Sequence, residues 1–240
     1  MSAAEKKPEG DDANIGKQAL DIAKAADVSV DVVKKAAAFI DGIFGNSISN
    51  SMGLIADKLA YYRLGKAIEL QERVEKKLQA LGVERRYVPV AFGLPIIEKA
   101  TIEDNPVLQD KWANLLTNAR NASYDKPLRR NYSSMLADME PLDTLVLDTV
   151  AREYLQVPND KQKEALFDKD LLIKDLKLSE NDGENAVRNL MRLGLFKPGN
   201  ITGGASIGDH PLSSYKDTDI FGITAMGVDF YHAVNEPTHK

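Results

Sequence analysis

Apolar residues recur at every third or fourth position through most of the first 140 residues, which is the spacing of one face of an α-helix. The longest such run extends from Leu54 to Leu81, and Gly82 just beyond it is a natural helix stop. The apolar residues close to one face of this run are Leu54, Ile55, Leu59, Tyr62, Ile68, Val74, Leu78 and Leu81. The pattern predicts an N-terminal helical bundle over residues 15–140, preceded by a polar tail at 1–14 that we expect to be disordered.

Composition limits the chemistry that this chain can carry out. Of its 240 residues, 43% are hydrophobic and 28% are charged, which is ordinary for a globular protein. The absence of cysteine excludes a disulfide scaffold, thiolate metal sites and a cysteine nucleophile. No apolar stretch follows the N-terminal lysines, so the start of the chain does not read as a signal peptide. We therefore expect a cytoplasmic protein.

The only tryptophan, Trp112, lies on a predicted helix for which Asn105 is a suitable cap. Leu108, Trp112 and Leu115 fall on one stripe of that helix, which predicts a structural core position and not a platform for a ligand. Proline is favoured in the first turn of a helix, where its missing N–H has no partner to lose. Three prolines therefore predict helix starts, namely Pro95, Pro106 and Pro127.

Residues 141–240 have a different character and predict a second domain. An amphipathic helix over Leu142–Leu155 is expected to bury Leu142, Leu145, Val146, Thr149 and Val150. The following predicted elements are a short helix at Leu171–Leu176, a helix at Glu180–Leu193, extended segments near Leu195 and at Phe221–Thr224, and a closing helix over residues 225–234. A helix–turn–helix followed by a small β-hairpin and a closing helix is typical of a winged-helix-like domain.

The distribution of charge bears on what such a domain contacts. Residues 1–140 carry 20 Lys and Arg against 20 Asp and Glu, whereas residues 141–240 carry 11 against 16. The first turns of the expected recognition helix contain three acidic residues, Glu180, Asp182 and Glu184. Arg188 and Arg192 are its only candidates for binding nucleic acid. Because phosphate contacts require cations, this pattern favours protein contacts over duplex binding. Nucleic-acid binding, as a regulator or a sensor, stays open as an alternative.

Motifs of catalysis are not found in this sequence. The three histidines, His210, His232 and His239, have no spacing typical of metal ligands. The glycines of the NITGGASIG segment are not followed by the Lys and Ser or Thr of a phosphate loop, and no GxSxG elbow is present. The sequence therefore predicts a protein that is not an enzyme and has no catalytic residue, cofactor or metal.

The segment from Ala36 to Ala56 holds one charged residue, Asp41, across 21 positions. One interpretation is two helix ends that face the core and are joined by a turn. The alternative is a segment that leaves the bundle on activation and enters a membrane, for which small residues allow close helix packing.

Three segments together resemble the abortive infection alpha (Abi-alpha) family of bacteria. The first, ADKLAYYRLGKAIELQERVEKKLQALG, is similar to a long helix of that family that contains arginine. The second is VPVAFGLPIIEKATIEDNPVLQDKWANLLTNA, in which an acidic pair precedes the WANLL motif. The third, YSSMLADMEPLDTLVLDTV, resembles a short helix followed by a Pro–Leu–Asp turn. The resemblance extends from about Gly45 to Val150.

This resemblance implies a role in antiphage defence, in which an infected cell is stopped from releasing phage. It carries no catalytic residue and implies no substrate or cofactor. We expect the protein to act through protein partners or self-association, and a component of the phage is one possible partner. The helical bundle is then the effector or assembly core, and the acidic winged helix is the module that binds or senses.

Overall fold

The computed structural model describes residues 19–24, 29–45, 61–199, 206–207, 210–211 and 219–236. By the contacts of its backbone the chain divides into two compact units. One unit comprises Met1–Asp104 with Ala119–Ser123, and the other comprises Asn105–Asn118 with Tyr124–Lys240. The domain boundaries expected from the sequence, at residues 14 and 140, stay predictions. The protein is mostly helical with a small three-stranded antiparallel sheet, which confirms the predicted fold class at this level.

Among the described residues of the first unit, three helices contact one another, α1 (Val30–Phe44), α2 (Tyr61–Leu81) and α3 (Val90–Ala100), and residues 19–24 are also helical. Ser29 caps α1, and its side chain accepts a hydrogen bond from the Val32 amide. The buried face of α2 differs in part from the predicted one, and it consists of Leu64, Ala67, Leu70, Val74 and Leu78. Gly82 follows α2 with a φ of 61°, a conformation that favours glycine at a helix end.

A buried arginine joins three segments of this unit. The Arg120 guanidinium donates to Glu75 Oε1 at 2.6 Å and to the Gly42 carbonyl at 3.1 Å. The other oxygen of Glu75 pairs with Arg85 at 2.7 Å. Arg120 therefore links the end of α1 and the middle of α2 to the segment at 119–123.

We expect Arg120→Lys to lower the free energy of unfolding by about 1–2 kcal/mol, because an ammonium cannot reproduce the two-pronged contact to Glu75 and Gly42. Arg85→Lys is the matched control on the same carboxylate, and we expect a change of less than about 0.5 kcal/mol because Arg85 is exposed. Urea denaturation followed by circular dichroism measures both. Equal losses in the two variants would contradict this role for Arg120.

The second unit contains the remaining elements. Its helices are α4 (Pro106–Arg120, of which residues 106–118 belong here), α5 (Tyr132–Ala137), α6 (Pro141–Gln156), α7 (Lys169–Asp175), α8 (Glu180–Arg192) and α9 (Ala225–Val234). Its strands are β1 (Phe167–Asp168), β2 (Phe196–Pro198), β3 (Ser206–Ile207), β4 (His210–Pro211) and β5 (Ile220–Ile223). A 3₁₀ turn at Gln162–Glu164 precedes β1.

The sheet has the order β1–β5–β2, with both pairings antiparallel. Its register places Phe167 opposite Phe221 and Phe196 opposite Ile223. The Phe196 and Phe221 rings stack with centroids 4.9 Å apart. Strands β2 and β5 lie close to the two predicted extended segments and pair antiparallel, while the β-hairpin of a winged helix stays a prediction. Strand β1 was not predicted because it is two residues long and follows a polar linker. Strands β3 and β4 form a separate small ladder.

Local capping explains why several helices begin where the sequence predicts. Asn105 Oδ1 accepts from the amides of Val107 and Leu108 at the start of α4. Ser179 caps α8 and hydrogen-bonds both the amide and the carboxylate of Asp182. Gly194, with a φ of 73°, follows α8. The expected bounds of α6, α8 and α9 are confirmed to within about one residue.

Two of the three proline predictions are wrong. Pro95 lies inside α3, which begins five residues earlier because Pro89 supplies its cap position. Pro127 lies in the irregular segment before α5 and not in its first turn. Only Pro106 begins a helix as expected. A proline fits the first turn of a helix on local grounds, but tertiary packing decides whether a helix begins there.

The buried face of α6 is also rotated from the predicted one. Val146 and Val150 are buried as expected, but Leu145 is 39% exposed and Leu142 is half-buried. The face includes Leu147 and Asp143 instead. The buried polar residue breaks the apolar pattern from which the face was predicted.

Residues 46–56 of the low-charge segment lie outside the described residues, and residues 36–44 form the second half of α1. In the part of the chain that the structure describes, no helix is both long enough and apolar enough to cross a membrane.

Candidate functional site

The last ten residues of the helix that carries the only tryptophan are enclosed on every side. All residues from Lys111 to Arg120 are buried. Leu108, Trp112 and Leu115 are each less than 5% exposed, as expected for the structural core. A helix buried all round must find partners for its polar side chains as well, because unpaired polar groups are costly in an apolar environment.

The polar side chains of α4 meet the C-terminal end of α9. Asn118 Nδ2 donates to the carbonyls of His232, Ala233 and Asn235 at 3.2, 2.9 and 3.0 Å. One turn earlier, Asn114 Nδ2 donates to the Val234 carbonyl at 3.1 Å. The last carbonyls of a helix have no partner within the helix, so these two amides serve as a cap supplied from another helix.

A third residue of this row, Lys111, forms a closed hydrogen-bonded ring. Its ammonium donates to Asp148 Oδ2 at 2.6 Å and to Asn235 Oδ1 at 2.7 Å. Asn235 Nδ2 in turn donates to Asp148 Oδ1 at 3.0 Å. Because the Lys111 side chain is only 8% exposed, the ring compensates a charge that burial would otherwise penalise. It ties α4 and α6 to the residue that ends α9.

This ring lies in an open cleft of about 560 Å³ between α4, α6 and the end of α9. Asp110, Tyr231 and Glu236 also line it. Burial, and secondly the nearby Asp148 carboxylate, raise the pKa of the Tyr231 phenol above its usual value. Tyr231 therefore stays neutral at physiological pH.

A second polar cluster holds α8, on which the two candidate nucleic-acid residues lie. Asn189 donates to Asp143 Oδ2 at 2.7 Å and to the Asp138 carbonyl at 3.0 Å. Arg192 pairs with the Asp138 carboxylate at 3.3 Å. Burial raises the pKa of Asp143, which also accepts from the Glu140 amide at 2.7 Å. The Pro–Leu–Asp turn thus fixes α8 through Asp143.

Arg188 and Arg192 differ in their surroundings. The Arg188 side chain is 78% exposed and lies 3.9 Å from Glu184. Arg192 is held by Asp138 and by Asn189 Oδ1, to which it donates at 2.9 Å. Glu184 also bonds Lys169 at 2.8 Å. The exposed surface of α8 therefore presents cations that already lie beside carboxylates.

Of the three histidines, only His232 has a described side chain, since that of His210 and all of His239 fall outside the described residues. Burial, and secondly the charge of Lys126, lower the pKa of His232, while Asp229 acts in the opposite direction. Among the described residues, no group of three His, Asp or Glu side chains could hold a metal ion.

The lowered pKa of His232 predicts a pH dependence of stability. As the pH falls, the unfolded chain takes up this proton first, so the free energy of unfolding is highest above the ordinary pKa of 6.5 and decreases as the pH falls through the folded pKa. We expect His232→Gln to lose less stability than the wild type between about pH 7.5 and about pH 5. Urea titrations of both proteins across this range provide the test, and parallel curves would refute it.

Sequence reasoning identified the apolar stripe of α4 but missed its polar row. Lys111, Asn114 and Asn118 are spaced by three and four positions, so they share a face of the helix. The sequence signal for this polar row was the presence of two asparagines on one face of a helix whose other face carries the tryptophan stripe. Their partners could not be found by pattern, because they lie 37 to 124 positions away.

These observations define a mostly helical protein with a small antiparallel sheet, in which a buried central helix caps the last helix of the chain. The family model described as abortive infection alpha matches residues 63–234, and the chain belongs to this family. The match begins later than the expected resemblance and extends past residue 150 to the end of α9. Comparison with curated proteins and with solved structures gives no match.

Proposed function

We propose that this protein is a cytoplasmic, non-enzymatic component of bacterial antiphage defence that acts through protein contacts. The observation that carries the proposal is membership of the abortive infection alpha family over more than two thirds of the chain. Abortive infection stops an infected cell from releasing phage, and such a role requires a trigger and a target but no substrate turnover by this chain.

We further propose that residues 141–240 form a winged-helix module. In support, α7 and α8 follow each other through a short turn and pack together. Helix α8 also packs on α6 and β2, while β2 and β5 form an antiparallel pair before the closing helix α9. Helix α8 then occupies the place of the recognition helix.

The charges of α8 support a protein partner for this module over a nucleic acid. Glu180 and Asp182 lie in its first turn and are exposed. Arg192 is engaged by Asp138, and Arg188 lies beside Glu184. Because its arginines already lie beside carboxylates, this surface neutralises few phosphates. Its exposed carboxylates instead complement a basic protein surface.

The proposal that the protein is not an enzyme is supported by the hydrogen bonds that its buried polar side chains form. Lys111, Asp143 and Asn118 are the kinds of residue from which active sites are built. Each of them hydrogen-bonds protein groups that fix a helix end or a turn. Their chemistry is therefore accounted for by the fold.

Phage plating on a susceptible bacterium that expresses the protein tests the defence role. We expect fewer plaques or a smaller burst than with the empty vector, and no change across a diverse phage panel would count heavily against the proposal. Two substitutions that make the exposed surface of α8 basic, Glu180→Lys plus Asn181→Lys, are expected to abolish protection. The control pair Glu153→Lys plus Gln156→Lys, on exposed positions of α6, is expected to retain it.

A separate measurement distinguishes nucleic-acid binding. If purified protein binds duplex DNA in a salt-dependent way and loses binding on Arg188→Glu plus Arg192→Glu, then α8 reads nucleic acid and the protein-contact proposal fails. The absence of a shift at low salt is the expected result.

A further inference from the structure

The outer face of α8 carries a stripe of four exposed residues, Asn181, Asn185, Arg188 and Arg192. Their spacing of four, three and four positions places them on one side of the helix. The opposite side, which includes Leu190, is buried. The Arg188 side chain is 78% exposed and that of Arg192 is 57% exposed. This outer stripe is therefore open to a partner along the whole helix.

The outer stripe is symmetric about the middle of α8. Asn181 and Arg192 lie equally far from that midpoint, and so do Asn185 and Arg188. When two such helices lie antiparallel about a two-fold axis, each arginine of one is level with an asparagine of the other. A guanidinium only donates hydrogen bonds and a carboxamide oxygen accepts them, so these residues match. The outer stripe thus fits a second copy of itself.

The carboxylates of α8 follow the same order. Glu180, Asp182 and Glu184 lie in the first half of the helix, whereas both arginines lie in the second. Lys169 donates to Glu184 Oε1 at 2.8 Å, and Glu184 Oε2 lies 3.9 Å from Arg188, beyond hydrogen-bond distance. Antiparallel pairing brings the acidic half of each helix against the basic half of the other, whereas parallel pairing brings like charges together. The charges therefore select the antiparallel orientation.

From this order of residues we propose that α8 pairs antiparallel with α8 of a second copy of this chain, about a two-fold axis at the middle of the helix. The pairing rests on the protein contact of α8 proposed above and names its partner. A helix of 13 residues is about 20 Å long, so the contact is smaller than that of a permanent dimer. The pairing is therefore weak, depends on protein concentration and decreases with salt.

Sedimentation velocity of the full chain, measured over a range of protein concentrations, tests the pairing. At low salt we expect a reversible equilibrium between monomer and dimer. Raising the salt to about 1 M should raise the dissociation constant at least about tenfold, because charged side chains make the contact. A chain that stays monomeric at low salt and at the highest concentration reached overturns the proposal, and so does a dimer that salt leaves unchanged.

Two variants that exchange charge identify α8 as the contact. In the first, Asn181→Lys plus Asn185→Lys, the lysines are level with the arginines of the second copy. In the second, Arg188→Glu plus Arg192→Glu, the basic half of the helix becomes acidic. Each variant alone is expected to dimerise at least about tenfold more weakly than the wild type. An equimolar mixture of the two should form a heterodimer, since the new lysines then face the new glutamates, and a mixture that stays monomeric would refute the pairing.

A matched control separates this contact from a change in net charge. Gln156→Lys plus Asn159→Lys adds the same charge as the double lysine variant at exposed positions outside α8, and it should dimerise like the wild type. Equal weakening by this control pair overturns the assignment to α8. Circular dichroism checks that every variant is folded. Arg188→Glu alone leaves the Arg192 contact to Asp138 in place, and it replaces the double glutamate variant if that one is unfolded.

The absence of cysteine from the sequence allows the orientation to be tested with single introduced thiols. In the antiparallel pair, the two copies of residue 185 are offset by about 4–5 Å along the helix axis and those of residue 181 by about 16–17 Å. We expect Asn185→Cys to form a disulfide-linked dimer on mild oxidation, and Asn181→Cys to do so only when mixed with Arg192→Cys. Equal cross-linking of Asn181→Cys and Asn185→Cys, each alone, contradicts the antiparallel arrangement.

Phage plating with the same variants keeps this pairing separate from the defence role. A monomeric wild-type chain that still lowers plating overturns the pairing and leaves the defence role standing, with a different protein on α8. A dimer that cross-links through residue 185, in a chain that gives no protection against any phage, supports the pairing although the defence role fails.

Discussion

Trp112→Ala is expected to lower the free energy of unfolding by about 3–5 kcal/mol, the range for removing a large aromatic side chain from a well-packed core. Trp112 is 1% exposed and is among the largest fully buried side chains of the described residues. Its Nε1 has no hydrogen-bond partner within the described part of the chain. The loss therefore comes from packing and the cavity left behind, and not from a broken hydrogen bond.

Urea denaturation followed by far-ultraviolet circular dichroism measures this loss without relying on the tryptophan signal itself. Trp112→Phe should cost clearly less than Trp112→Ala, since it keeps most of the apolar volume and removes an N–H that is unpaired. Val107→Ala, on an exposed position of the same helix, should change stability by less than about 1 kcal/mol. A Trp112→Ala variant as stable as the wild type would mean that the ring is available to a partner.

Elements defined by local chemistry could be predicted from the sequence. Ser179 and Gly194 mark the two ends of α8, and the helical period between them is uninterrupted. Helix α9 is bounded in the same way, by Thr224, which accepts from the Gly227 amide. Capping and periodicity are properties of neighbouring residues, so they are visible before folding.

Features that depend on distant residues could not be predicted. Strand β1 exists because Phe167 and Asp168 pair with β5, more than fifty positions later. Leu145 was expected in the core on its spacing but is 39% exposed, whereas Asp143, which accepts from Asn189, lies on the buried face of α6. Polar groups that are buried by tertiary bonds look like surface residues in a pattern analysis.

The same limitation explains the extent of the resemblance. The expected match ended at Val150 because the recognisable motifs end there, whereas the family match continues to Val234. Asn114 and Asn118 of the WANLL helix bond the carbonyls of residues 232–235. The signature helix and the last helix therefore share one hydrogen-bonded arrangement, and we infer that the family pattern spans both.

Asn118→Ala is expected to lower the free energy of unfolding by about 2–4 kcal/mol, since two N–H donors are lost from carbonyls in a largely buried site. The effect should concentrate at the end of α9, where the carbonyls of His232, Ala233 and Asn235 lose their partner. Phe230, which packs edge-on against Tyr132 at 5.2 Å, holds the middle of this helix and is not touched by the substitution.

Hydrogen exchange of the backbone amides shows whether the loss is local. We expect Asn118→Ala to accelerate exchange, relative to the wild type, more for residues 229–235 than for α6 or α8, under conditions where the protein stays folded. Asn185→Ala, an exposed asparagine on α8, is the matched control and should leave exchange in α9 unchanged.

Asn118→Leu separates hydrogen bonding from packing. Leucine has the same branching as asparagine, is larger and has no donor, so it fills the site and still leaves the carbonyls of α9 unpaired. If the cap acts through hydrogen bonds, Asn118→Leu destabilises the end of α9 about as much as Asn118→Ala does. If leucine instead restores wild-type exchange, then packing alone holds the last helix in place. The polar row of α4 would in that case have no part in joining the signature helix to the end of the chain.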